Sequence, residues 1–250
     1  MCQREKRDND DCIASFLAAL FAMGEPSKTT PIVVVFGIPG CGKTTVANKA
    51  MDLLQSRSSS EPAKVPIIRP VALDLDVCVP QWMRDNFAKG IYPSLKERQE
   101  FALACCAHVD ESLQRASTDL NRTDEPREQL AAIVSFSFVN TDLRDSFRSR
   151  FPDSQWVLIQ TAEDEARRRI EQRQGHFYKG KAVSTKIRET SPETKHSTRQ
   201  TNAADNKEWD FAPVSFPHTI LDGRITMEEN AGIVVNLVRQ ACCCCEYRSE

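Results

Sequence analysis

The chain lacks any apolar run approaching the ~20 residues of a membrane span, which excludes a helical integral membrane protein. It lacks an excess of either charge. Its 33 Lys and Arg stand against 35 Asp and Glu, a net charge of −2, which argues against a dedicated nucleic-acid binder. The start lacks the longer apolar block of an export signal. Asp8, Asp10 and Asp11 lead instead into Ile13, Phe16, Leu17, Leu20 and Phe21, the spacing of a short amphipathic helix. Paired CxxC motifs are missing, so the ten cysteines do not make a zinc ribbon. Their clustering, in a chain of 250 residues, is wrong for a disulfide framework and fits reduced thiols in a cytoplasmic protein.

What is present is a regular alternation of strand and helix. Ile32-Val33-Val34-Val35-Phe36 is a β-branched run suited to a strand covered on both faces. A glycine loop follows, then a helical stripe of Val46, Ala47, Ala50, Leu53 and Leu54. Further strands are expected at 71–75, 131–138, 156–159 and 219–221. Helices are expected around Trp82 and Phe87, then at 94–116, 142–150 and 163–174. A last helix begins near Met227 and buries Ile233, Val234, Leu237 and Val238. The pattern predicts an α/β domain of three layers, a parallel sheet flanked by helices, with a mobile lid. Residues 1–30 read as a helical extension and 31–241 as the domain, with the lid at about 175–212. Residues 242–250 read as a frayed tail holding Cys242 to Cys245.

Gly37-Ile38-Pro39-Gly40-Cys41-Gly42-Lys43-Thr44 has the GxxxxGK[ST] spacing of a P-loop. Glycines let backbone N–H groups close around phosphate oxygens, and the following helix N-terminus favours the anion. Lys43 is placed to reach the β- and γ-phosphates, Thr44 to coordinate Mg²⁺, and Thr45 continues the loop's contact with ATP. The third strand ends without a carboxylate, so Asp74 and Asp76, at the end of the second, are the acidic candidates. Strand alternation would put them on one face. One carboxylate can serve the metal while the other orients or deprotonates an acceptor hydroxyl. Arg169 and Arg173, four apart on a helix, would share a face and lead into the lid. From Ala166 to Arg188 there are eight basic residues and one acidic one, Glu171.

These pieces resemble the gluconate kinase family of P-loop kinases. The resemblance runs from about Ile32 to Lys179. It rests on the P-loop, on Asp74-Leu75-Asp76 ahead of Pro80, and on Asn86, Gly90 and Arg98. It continues through Ser137, Leu143-Arg144-Asp145 with Arg148, and the block Arg169-Ile170-Glu171-Gln172-Arg173-Gln174-Gly175-His176-Phe177. It implies ATP and Mg²⁺ as cofactors and a small-molecule acceptor, most simply a sugar acid such as gluconate or a related polyol. It implies that Asp74 serves the metal and Asp76 the acceptor hydroxyl, that Arg173 touches phosphates, and that Arg169 lies against the adenine. Arg98 and His176 would face the acceptor. No nucleic-acid partner and no membrane insertion are expected, and a homodimer is allowed.

The acceptor half departs from that pattern. Val79 stands where the family has histidine. Phe136-Ser137-Phe138-Val139-Asn140 replaces a segment ending in lysine, and Lys186 takes the place of a lid glutamine. Two other readings stay open at this point. One is a nucleotide-binding P-loop protein with lost or altered acceptor activity, the other a polynucleotide or nucleotide kinase.

Overall fold

The computed structural model describes residues 30–57, 67–120, 128–173 and 211–246. Its strands are β1 (Ile32–Phe36), β2 (Ile67–Asp74), β3 (Glu128–Phe136), β4 (Gln155–Gln160) and β5 (Thr219–Asp222). Its helices are α1 (Lys43–Arg57), α2 (Gln81–Ala88), α3 (Leu95–Leu120), α4 (Thr141–Arg150), α5 (Glu163–Gln172) and α6 (Met227–Glu246). The strands form one parallel sheet in the order β2-β3-β1-β4-β5. All carboxyl ends therefore share one edge, where open α/β sheets bind their ligands.

β1 sits at the centre, and its alternation divides the core. Ile32, Val34 and Phe36 join the cluster under α2, α3 and α4. Val33 and Val35 join the opposite cluster under α1 and α6. All five are buried, as a β-branched run with helices on both faces requires. Two helix starts are fixed by capping boxes. The Ser94 N–H and hydroxyl donate to Glu97, and the Thr226 N–H and hydroxyl donate to Glu229.

Three local expectations change. β2 ends at Asp74, and Leu75–Cys78 form a 3₁₀ turn in which Asp74 accepts the Asp76 N–H at 3.0 Å. Asp76 is thus outside the strand, and alternation is not what relates the two aspartates. α5 ends at Gln172, with Arg173 as an extended C-cap residue, so Arg169 and Arg173 do not share a helical face. α6 runs on to Glu246, and Cys242 is fully buried in it rather than lying in a tail. Ala231, Val235, Val238 and Cys242 continue one i, i+3, i+4 stripe, which explains the extension. On that helix Val234 and Val238 are buried as expected, while Ile233 and Leu237 are half-buried. The expected N-terminal helix, His176, Lys186 and nearly all of the expected lid lie outside the described residues.

Candidate active site

The P-loop leaves β1 and enters α1 at Lys43. Gly40 adopts φ +85° and Gly42 φ +101°, a region that residues with a Cβ rarely occupy. A Cβ at Gly40 would run into the Ala166 carbonyl and lie 3.0 Å from Ile170 Cγ1, whereas one at Gly42 would lie 3.0 Å from the flexible end of Met227. The loop is therefore packed against α5 and α6, and Gly40 is required by contact as well as by torsion. Lys43 is nearly buried, and its Nζ donates to the Ile38 carbonyl at 3.0 Å.

The Thr44 hydroxyl donates to Asp74 Oδ2 at 2.9 Å. The other oxygen of Asp74 accepts the Asp76 N–H. One carboxylate thus links the P-loop helix to the turn that carries the second aspartate. A hydroxyl and a carboxylate in contact form a hard-oxygen donor set, which suits Mg²⁺ completed by phosphate and water. Among the described residues no three His, Cys, Asp or Glu side chains cluster to hold a metal on their own. Arg84 holds the turn from behind. It donates through Nη2 to the Asp76 carbonyl and through Nε to the Val79 carbonyl, each at 2.8 Å.

These groups line one cleft of about 880 Å³, its open mouth included. Pro39, Gly40, Gly42, Lys43, Thr44, Asp74, Asp76, Arg98 and Arg173 all border it. Gly37, Ile38 and Cys41 are buried beneath the loop, and Thr45 is exposed on α1 outside the cleft. Arg169 also lies outside it. Its Nε donates to Glu165 at 2.7 Å, and its Nη1 approaches the Cys41 carbonyl at 3.5 Å. Hydrogen bonds from Arg168 and then Arg169 hold the Glu165 carboxyl below its ordinary range. Arg98 borders the cleft but is already engaged, with Nε on Asp142 at 2.8 Å and Nη1 on the Pro93 carbonyl at 2.9 Å.

The far wall is made by Val79, Met83, Phe87, Phe101, Val139 and Leu143. Of these, only Val79 was expected at the site from the sequence. The signal available was the register, because β3 and α2 must meet the cleft at the same edge as Asp74. Arg144 was legible only as part of a motif. It is 1% exposed, and it donates to the carbonyls of Phe138 (2.6 Å), Val139 (3.2 Å), Ala212 (2.7 Å) and Pro213 (2.9 Å). Burial pushes its guanidinium down to about 10. Its Cζ lies 4.4 Å from the centre of the Phe211 ring. It fixes the chain beyond β3, where Phe138 carries an unusual φ of +44°, against the segment that begins at Phe211.

The structure is similar to that of an unliganded sugar kinase from Janibacter sp. HTCC2649. The two share 16% identity over 86% of this chain and 97% of that one, with a TM-score of 0.53. The fold is that of a P-loop NTPase. A gluconokinase from Sinorhizobium meliloti 1021 aligns at 15% identity over 89% of this chain and 99% of its own, with a TM-score of 0.48. The Mycobacterium tuberculosis APS kinase CysC, solved with AMPPNP and APS, aligns at 17% identity over 84% and 98%, with a TM-score of 0.46. Those two superpose too loosely to add to the fold assignment. No family model matches the chain, and neither does any curated protein. In this P-loop fold, the loop packed against α5 and α6 and the aspartate turn after β2 meet at the carboxyl edge of the sheet. Among the described residues, no helix is long and apolar enough to cross a membrane.

Proposed function

We propose that the chain is an ATP- and Mg²⁺-dependent phosphotransferase acting on a hydroxyl of a small molecule. The observation that supports this reading is the link in which the Thr44 hydroxyl donates to Asp74 and Asp74 accepts the Asp76 N–H, both aspartates bordering the cleft at the P-loop. Mg²⁺, when bound there, neutralises phosphate charge. Lys43 and Arg173, which both border the cleft, meet the phosphates. Asp76 accepts the hydroxyl proton of the acceptor. The acceptor oxygen bonds to the γ-phosphorus while the bond from that phosphorus to the β-phosphate oxygen breaks, releasing ADP. Such chemistry is mostly positioning and electrostatics.

A sugar acid such as gluconate is the acceptor that the family resemblance implies, and Arg98 would have to receive its carboxylate. A polynucleotide acceptor finds less support. Arg84 is spent on backbone carbonyls, and Trp82 does not border the cleft. The test is an ATP-consumption screen of the full chain with Mg²⁺, read as ADP release and as ³¹P NMR of the product. Acceptor-dependent phosphate transfer is expected. ATP–Mg²⁺ binding without transfer to any hydroxyl compound would leave only a nucleotide-binding protein.

A further inference from the structure

The two ends of the cleft differ in chemistry. Its phosphate end carries Lys43, Thr44, Asp74, Asp76 and Arg173. Its far end is walled by the apolar residues named above together with Phe136. Among the described residues, the polar side chains at that end are Ser137 and Arg98. Arg98 brings no net charge, because Asp142 pairs with it at 2.8 Å, and the Pro93 carbonyl occupies a second donor. The Phe101 and Phe136 rings stand 5.4 Å apart, tilted by 48°, an arrangement that offers edge and face contacts to a third ring.

Resting on the phosphotransfer reading above, we propose that the acceptor is an uncharged alcohol carried on an apolar, ring-sized body. Its hydroxyl points at Asp76, and its body lies against Phe101, Phe136 and Met83. A polyol in the same place would shed water from several hydroxyls onto carbon walls, and each unpaired hydroxyl weakens binding. A sugar carboxylate would meet an Arg98 whose charge Asp142 already balances. An apolar ring loses nothing of that kind and gains the burial of its own surface. An apolar pocket discriminates against added hydroxyls only moderately, so a preference of about 10- to 100-fold in kcat/KM is expected. The transfer itself is unchanged. The alcohol O–H breaks, its oxygen bonds to the γ-phosphorus, ADP leaves, and the proton passes through Asp76 to solvent.

The experiment compares benzyl alcohol, 2-phenylethanol and cyclohexylmethanol with gluconate and sorbitol as acceptors for the full chain. ADP release is measured, and thermal stabilisation by ATP–Mg²⁺ is recorded in parallel. Faster turnover with the apolar alcohols, by about tenfold or more, is the expected result. Equal or faster turnover with gluconate or sorbitol overturns the acceptor class and leaves the kinase reading standing. Stabilisation by ATP–Mg²⁺ without turnover on any of the apolar alcohols also overturns it. No stabilisation by ATP–Mg²⁺ overturns the kinase reading, and the acceptor class with it. A second variable uses Val79→Thr, nearly isosteric but carrying a hydroxyl. The KM for benzyl alcohol is expected to rise by about tenfold. An unchanged KM in a folded, ATP-stabilised variant would remove the apolar body from that wall.

Discussion

The proposed nucleotide wall and the proposed acceptor wall of the cleft are built on different principles. On the nucleotide wall each residue has a torsional or hydrogen-bonding reason for its identity. Gly40 and Gly42 sit at positive φ under α5 and α6, and Thr44 and Asp74 hold each other at 2.9 Å. On the acceptor wall the residues share only carbon. Val79, Met83 and Phe87 come from the segment after β2, Phe101 from α3, and Val139 and Leu143 from the chain around the start of α4. A phosphate site is specified by directional contacts, which tolerate little change. An apolar site is specified by shape and by the exclusion of water, which many sequences provide.

The sharpest way to separate the walls is Lys43→Ala. Removing the buried ammonium is expected to lower turnover by about a thousandfold and to abolish stabilisation by ATP–Mg²⁺. Retained ATP stabilisation would break the assignment of the nucleotide wall. Next in size is Arg144→Leu, which strips four carbonyls of a charged donor. A loss of about 3 kcal/mol is expected, read in denaturant unfolding, and Arg144→Lys should not restore the fork of contacts. The same change should raise the acceptor KM more than the ATP KM, because Ser137 and Val139 lie on the segment that Arg144 holds. Gly40→Ala acts on the other wall. Strain at positive φ together with the Ile170 contact should cost about 1–3 kcal/mol and weaken ATP binding in calorimetry.

The smallest expected effect is one of pH. Glu165 has a folded pKa below its ordinary value because Arg168 and Arg169 donate to it. Its contribution is therefore complete above the ordinary glutamate range and is lost as the pH falls through the depressed value. The stability difference between the wild type and Glu165→Gln, read as Tm, should be flat from neutral pH down to about pH 5 and shrink below that as Glu165 is protonated. A decline beginning near neutral pH would point to a different group.

The same contrast explains what could be read from the chain alone. β1, the P-loop and α1 are specified by a β-branched run, glycine spacing and a helical stripe, all local in sequence, and they form where expected. The turn after Asp74 was not legible as a turn. Leu75-Asp76-Val77 continues a strand-like pattern, and the Asp74 side chain on the Asp76 N–H, with Arg84 on the Asp76 carbonyl, ends it. Arg173 left its helix for a related reason, since nothing between 163 and 174 marks a helix stop in composition. The acceptor wall depends on which residues of α2, α3 and β3 converge, a fact of topology rather than of any motif. Cys242 was expected in a frayed tail; it instead continues the stripe of Ala231, Val235 and Val238, because α6 runs on to Glu246.

The most direct test of the central claim is the Asp76→Asn variant, with acceptor-dependent ADP release measured at saturating ATP and Mg²⁺. If Asp76 takes the acceptor proton beside a metal seat at Asp74, ADP release falls by about a hundredfold or more while ATP–Mg²⁺ still stabilises the chain. Wild-type ADP release from this variant would contradict the account, because the carboxylate held at the P-loop would then have no part in the transfer.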